Sequence, residues 1–171
     1  LLQRVVMPEI NLRRKSLTMN GKEVKKQIAS DLHNYTFGIT SDPLTQFAVV
    51  FGALIHDCDH YGVSNGQLVN ENSPIASKYR NKSVLEQNSV DMAWDLLMDQ
   101  GEYGDLQACI FPTQSEFRRF RQVVVNSVLA TDIFDKELSE LRRNRWEKAF
   151  RETPSPDDDD DDENRKATIV I

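Results

Sequence analysis

The feature that most constrains the fold is an apolar segment that runs directly into a cluster of ionisable residues. Residues 44–55 place apolar side chains at helical spacing on nearly every side. Asp42 and Pro43 precede the segment, as a cap followed by a proline in the first turn. A helix that is apolar on all sides has to be buried. The sequence therefore predicts a central helix that other elements must surround.

The other strong patterns are also helical. Residues 115–151 contain no Gly or Pro, which predicts one long helix or two in tandem. Thr113 with Glu116, and Ser83 with Glu86, have the spacing of capping boxes that begin helices. Further helices are predicted over residues 21–32, 65–71 and 74–79, with an additional helical piece at 1–7 and a loop at 101–112. No β-alternation and no internal repeat is present, so the predicted class is all-α.

Charge and composition exclude several classes of function. Residues 157–163 hold seven of the 27 acidic residues, leaving 20 acids against 21 bases in the rest of the chain. That balance provides no basic surface for nucleic acid. No apolar run reaches the roughly 18 residues of a membrane span, so no membrane contact is expected from this segment. The two cysteines lack CxxC spacing, which favours reduced thiols and a cytoplasmic setting.

Four consecutive segments follow from these patterns. Residues 1–40 are weakly patterned, and residues 41–151 form the helical core. Residues 152–167 are predicted to be an acidic surface loop, and residues 168–171 the start of a following helix. Both ends stop in apolar sequence without an initiating Met, so we expect an excerpt from a longer polypeptide.

The ionisable cluster is the candidate for chemistry. Residues 56–60 read His-Asp-Cys-Asp-His and hold two of the three histidines in the chain. An isolated His-Asp pair at a helix end is usually a cap or an ion pair, but this string after a buried helix favours a divalent metal site. Burying His56 and Asp57 without a partner would be costly, and a cation removes that cost. If the helix continues to residue 60, His56 and His60 lie one turn apart on one face.

The chain resembles the class I cyclic-nucleotide phosphodiesterases, which are all-helical members of the HD phosphohydrolase superfamily. Residues 56–65 (HDCDHYGVSN) are similar to the HDxDHxGxxN signature of that family. Residues 73–86 and 129–132 resemble two further blocks, in the same order. The resemblance implies part of a compact multi-helix domain that hydrolyses cAMP, cGMP or both to 5′-monophosphates.

The resemblance also implies roles for individual residues. His56 and Asp57 would bind metal, with two divalent ions expected in the complete site, Zn²⁺ together with Mg²⁺ or Mn²⁺. His60 would hold metal-bound water or a neighbouring ligand. Glu86 would orient water on the second metal, or would alternatively serve only the capping box of Ser83.

Three more residues are expected to line the cyclic-nucleotide pocket. Asn65 and Tyr79 would lie on its phosphate side, or would alternatively support the surrounding loop. Asp132 lies within a helical pattern between apolar neighbours, which favours a place in the pocket wall or behind the ligands over a solvated one.

Departures from the family pattern limit what the chain can do alone. The only partial match to the family's HNxxH motif begins at His33 and has Phe37 in place of the second histidine, so we expect His33 to be a loop residue and the motif to lie upstream. The fourth metal ligand and the purine-binding glutamine would follow Ile171. Asn88 and Ser89 replace histidines that are common in the family. These changes leave the choice between cAMP and cGMP open.

Two other functions remain open from the sequence. Another HD phosphohydrolase, such as a nucleotidase, shares the His-Asp pair but not the later blocks. A catalytically dead regulatory module would retain the fold and lose ligands. The parent of such a segment can also carry sensory, cyclase or membrane domains.

Overall fold

A computed structural model describes residues 21–150, and the regular secondary structure of this part of the chain is entirely helical. The all-α prediction is therefore confirmed. Besides a short 3₁₀ turn at Ile39–Ser41, the helices are α1 (Gly21–Tyr35), α2 (Pro43–Ile55), α3 (Asn65–Asn70), α4 (Pro74–Lys78), α5 (Val84–Leu97), α6 (Gln100–Ile110), α7 (Gln114–Leu129) and α8 (Lys136–Phe150). None of the described helices is both long and apolar enough to cross a bilayer.

Helix α2 begins as the sequence predicts. The Asp42 side chain accepts a hydrogen bond from the Thr45 amide, and Pro43 occupies the first turn. Arg119 of α7 forms an ion pair with the same carboxylate. Because one carboxylate both caps α2 and binds α7, the start of α2 is fixed against its main packing partner.

The main core lies between α2, α5 and α7. Phe120 of α7 is fully buried at its centre, and aromatic rings from three other elements surround it. These rings are Phe47 and Phe51 of α2, Trp94 of α5 and Phe111 at the end of α6. Close approach of α2 to α7 depends on Gly52, because an added Cβ there would lie 2.6 Å from Ser127 Oγ.

The expectation that α2 is buried on all sides is wrong for the described residues. Phe47, Val50 and Leu54 are 42%, 56% and 77% exposed. Helices α5 and α7 cover one face of α2. Val50 and Leu54 lie outside that face, and Phe47 lies at its edge with its ring still stacked on Phe120 of α7.

Two boundaries differ from the predictions. The 101–112 segment, predicted as a loop, is helix α6, because Asp99 caps it through the Gly101 amide. His33, predicted to be a loop residue, lies in the last turn of α1. The 115–151 segment forms two helices in tandem, one of the two predicted arrangements. The helices predicted at 21–32, 65–71 and 74–79 are confirmed as α1, α3 and α4.

One of the two predicted capping boxes forms. Thr113 and Glu116 exchange side-chain to backbone bonds at 3.2 and 3.0 Å, as predicted. Ser83 does precede α5, but its φ of 38° is left-handed and its side chain makes no capping bond. The hydroxyl of Ser83 instead donates to Asp135. The interpretation of Glu86 as the partner in a Ser83 capping box is therefore wrong.

A smaller apolar cluster packs α3 and α4 against the start of α5. Its buried members are Leu68, Ala76, Tyr79, Val84 and Leu85. The predicted helical piece at 1–7, the acidic loop at 152–167 and the following segment 168–171 lie outside the described residues.

Candidate functional site

The ionisable residues occupy a tight turn after α2, which we call the HD loop (residues 56–60). Helix α2 ends at Ile55, and the turn is closed by bonds from the Cys58 amide to the Ile55 carbonyl (2.9 Å) and from the His60 amide to the Asp57 carbonyl (3.2 Å). Asp59 has a φ of 58°, a left-handed conformation that Asp tolerates better than most residues. Because the helix does not continue to residue 60, the condition under which His56 and His60 would share a helical face is not met.

The side chains of His56 and Asp57 lie in direct contact with each other. The His56 Nδ1 lies 2.9 Å from the Ala53 carbonyl, which can only accept, so Nδ1 carries the proton. The other nitrogen, Nε2, lies 3.1 Å from Asp57 Oδ2, an ion-pair contact in which a bound cation would take the place of a proton. The two side chains are 41% and 66% exposed, so the expected burial of this pair is wrong. A hydrogen bond that fixes one imidazole nitrogen and leaves the other available is the usual arrangement of a metal-binding histidine.

His60 is held by the backbone of the same loop. Its Nδ1 accepts from the Gly62 amide at 3.0 Å, so the neutral ring carries its proton on Nε2. Gly62 has a φ of 72°, a conformation that glycine adopts without strain. The Nε2–H of His60 can therefore donate a hydrogen bond to an oxygen of water or of a ligand.

Three of the predicted site residues meet in a second cluster. Asn65 Nδ2 donates to Glu86 Oε2 at 2.9 Å and to Asp132 Oδ2 at 3.3 Å. Asn65 Oδ1 accepts from the Leu85 amide at 2.9 Å. One amide group thus joins the start of α3, the start of α5 and the connection between α7 and α8. Both of its donor hydrogens point to carboxylates, which keeps the two acidic groups close together.

Asp132 lies in the connection after α7 and not in the middle of a helix. It is 5% exposed, in agreement with the preference for a place inside the protein. Its other oxygen accepts from the amides of Phe134 and Asp135 at 3.1 and 3.2 Å. These bonds stabilise the buried carboxylate and shape the turn that separates α7 from α8.

Tyr79 lies within the smaller apolar cluster and its hydroxyl belongs to a polar network. The hydroxyl donates to Asp91 Oδ2 at 2.9 Å and accepts from Lys78 Nζ at 2.6 Å. Burial raises the pKa of Tyr79, and the hydrogen bond to Asp91 raises it further. The ring itself is 7% exposed.

Sequence reasoning missed the contacts between α5 and the HD loop. Asn88 Nδ2 donates to Asp59 Oδ2 at 3.2 Å, and Ser89 Oγ donates to the Cys58 carbonyl at 2.7 Å. Both residues are buried. The available signal was a pair of polar residues that stand directly before Val90 and one turn after Leu85, both of which are apolar.

The donor set fits part of a metal site. Among residues 21–150, no three His, Cys, Asp or Glu side chains lie close enough together to hold one ion. His56 and Asp57 supply a nitrogen and an oxygen, the pair expected for zinc or for a site shared with a harder cation. A complete site needs ligands beyond these two.

Comparisons with known proteins find relatives that match about half of this chain. The human cGMP-inhibited 3′,5′-cyclic phosphodiesterase 3A is 39% identical over 90 residues, covering 53% of this chain and 8% of that protein. The mouse 3′,5′-cyclic-AMP phosphodiesterase 4C is 42% identical over 92 residues, covering 53% and 12%. A probable 3′,5′-cyclic-AMP phosphodiesterase from Caenorhabditis elegans is 37% identical over 90 residues, covering 53% and 13%. The chain thus spans a small part of each relative's length.

A family model described as 3′5′-cyclic nucleotide phosphodiesterase matches residues 21–171, which include the HD loop and the Asn65 cluster. The helical fold, the paired His56 and Asp57 donors and this match lead to one conclusion. The chain belongs to the 3′5′-cyclic nucleotide phosphodiesterase family.

Proposed function

We propose that this chain supplies part of the metal site and the adjoining polar wall of an enzyme that hydrolyses 3′,5′-cyclic nucleotides to 5′-monophosphates. The observation that carries the proposal is the His56 Nε2 to Asp57 Oδ2 distance of 3.1 Å, in a loop that lies within the family match. Two relatives' names specify cyclic AMP, whereas the family description names no purine, and we propose a cyclic nucleotide as substrate without choosing the purine.

His56 and Asp57 are the residues that would bind metal. The Ala53 carbonyl keeps the proton of His56 on Nδ1, so that Nε2 stays available and the ring orientation is fixed. Divalent cations held here, Zn²⁺ together with Mg²⁺ or Mn²⁺, would supply an activated water that opens the 3′ ester. His60, with its proton on Nε2, would orient an oxygen of the substrate or of water.

Glu86 would accept a hydrogen bond from water beside this site. One Glu86 oxygen is taken by Asn65, which leaves the other oxygen of the carboxylate for water. Asn65 uses its two amide hydrogens and its carbonyl within the protein, so we propose that it orients Glu86 and does not donate to the phosphate. The Asp132 carboxylate accepts one hydrogen bond from Asn65 and two from backbone amides, so it would help to fix the orientation of the Asn65 side chain.

Two protein ligands bind a cation weakly, so we expect residues 1–171 alone to show little or no hydrolysis. Activity would require a longer form of the chain that adds further ligands. Measurable cAMP or cGMP hydrolysis by residues 1–171 that is abolished by His56→Ala would contradict this expectation.

The test of the function uses such a longer form and both cyclic nucleotides. His56→Ala should abolish hydrolysis, because it removes a metal ligand, and chelation with EDTA should do the same in the unchanged protein. His33→Ala is the matched control, since His33 lies in α1 and its Nδ1 bonds to Ser41. Full activity after His56→Ala, or after chelation, would overturn the proposal.

A further inference from the structure

The HD loop is attached to helix α5 by two buried polar side chains that the proposed chemistry does not use. Ser89, 1% exposed, donates from Oγ to the Cys58 carbonyl at 2.7 Å. Asn88, 8% exposed, donates from Nδ2 to Asp59 Oδ2 at 3.2 Å. The two bonds reach successive residues of the loop from successive residues of the helix.

These bonds act where the loop has least support of its own. Helix α2 has ended, the backbone reverses at Asp59 through a left-handed φ of 58°, and two turn bonds close the loop. A left-handed non-glycine residue persists only when its surroundings hold it there. Asn88 binds the side chain of that residue, and Ser89 binds the carbonyl of the residue before it.

We propose that Asn88 and Ser89 are positioning residues that hold the HD loop so that His56 and Asp57 stay in contact with each other. This inference rests on the proposed metal-binding function of those two residues. A neutral amide and a hydroxyl supply the two hydrogen bonds from α5.

Helix α5 therefore contacts both the HD loop and the Asn65 cluster. Glu86 bonds to Asn65 at 2.9 Å, while Asn88 and Ser89, two and three residues further on, bond to the HD loop. A helix is rigid over one turn, so the distance between the water-binding carboxylate and the loop is set by α5.

The experiment uses residues 1–171 labelled with ¹⁵N and compares Ser89→Ala and Asn88→Ala with Ser127→Ala. Ser127 is the matched control because its hydroxyl also donates to backbone carbonyls, those of Val123 and Val124, within its own helix. Amide hydrogen exchange is measured first, because it does not depend on metal. Exchange at Cys58 and His60 should become about fivefold faster in both α5 variants, as expected for the loss of one hydrogen bond, and should not change in the control.

Metal binding is measured second, with Mn²⁺ as the probe and paramagnetic broadening of the HD loop amides as the signal. Signals are assigned residue by residue, so binding to the acidic run at 157–163 is recognised separately, and His56→Ala gives the background. Ser89→Ala should raise the Mn²⁺ concentration needed for half-maximal broadening by about tenfold, the usual effect of removing support from a metal-binding group.

The two measurements separate the inference from the function on which it rests. Exchange and Mn²⁺ response that change no more in Ser89→Ala and Asn88→Ala than in Ser127→Ala overturn the positioning role. Faster exchange in the α5 variants without His56-dependent broadening in the unchanged chain supports the attachment and contradicts metal binding by this chain.

Discussion

Gly52 offers a direct test of the close packing between α2 and α7. It lies four residues before His56 on α2, and a Cβ at this position would be 2.6 Å from Ser127 Oγ, well inside van der Waals contact. The Ser127 hydroxyl is held at 2.9 and 3.0 Å by the Val123 and Val124 carbonyls, so turning it away sacrifices those bonds.

The magnitude follows from two opposing effects. Forcing a methyl group into a packed interface costs about 1–3 kcal/mol. Replacing Gly with Ala within a helix returns roughly 1 kcal/mol through helix propensity. Gly52→Ala alone should therefore lower the free energy of unfolding by up to about 2 kcal/mol. Once Ser127→Ala removes the hydroxyl, the nearest remaining atom is the residue 127 Cβ at 3.7 Å, an ordinary contact.

The assay is a double-mutant cycle followed by urea unfolding with tryptophan fluorescence. In the Ser127→Ala background, Gly52→Ala should become neutral or stabilising, which gives a coupling of about 1–3 kcal/mol between the two sites. Ser89→Ala in place of Ser127→Ala should leave the effect of Gly52→Ala unchanged. If Gly52→Ala lowers the free energy of unfolding equally in the unchanged protein and in Ser127→Ala, the close contact between residues 52 and 127 is not the cause.

Three further predictions concern stability. Thr113→Ala removes one half of the confirmed capping box and should lower the free energy of unfolding by about 1 kcal/mol, seen as a lower thermal midpoint; an unchanged midpoint would count against the cap. Asn65→Ala should lower the free energy of unfolding by roughly 1–3 kcal/mol. Asn65→Asp should lower it further at neutral pH, because a third carboxylate then faces Glu86 and Asp132. Urea unfolding that ranks the two variants in the opposite order would contradict the role of Asn65 in the cluster. Burial raises the pKa of Tyr79, so its protonated form contributes stability below the unfolded value of about 10 that is lost as pH rises through the folded value. The stability advantage of the unchanged protein over Tyr79→Phe should therefore shrink between pH 8 and pH 10.5, and a constant difference in urea unfolding would exclude this effect.

The helix starts could be predicted because capping residues and prolines act on the backbone within one turn. The cap at Asp42, the proline after it and the box at Thr113 each act within one turn, and each begins a helix in the structure. The capping box predicted at Ser83 does not form, although the residues have the right spacing. The Ser83 backbone is left-handed, and its hydroxyl donates to Asp135 instead. Backbone conformation of that kind depends on tertiary packing that a four-residue pattern does not contain.

The sequence suggested candidate site residues, but it did not predict how they are arranged. The string at 56–60 identified His56 and Asp57, and the family blocks identified Asn65 and Glu86. The sequence left open whether the helix continues through the motif. Helix α2 ends before it, and the turn that follows brings His56 against Asp57. Ser89 was recognised only as a departure, since its bond to Cys58 joins residues 31 apart in the chain.

The three bonds of Asn65 have a consequence for how the protein folds. They join residue 65 to partners 20, 21 and 67 positions away, so the cluster cannot form until the chain between residues 65 and 132 has closed into a loop. Closing so long a loop costs entropy before any contact compensates for it. Asn65, Glu86 and Asp132 should therefore reach their final places late in folding, after the helices that carry them have already docked.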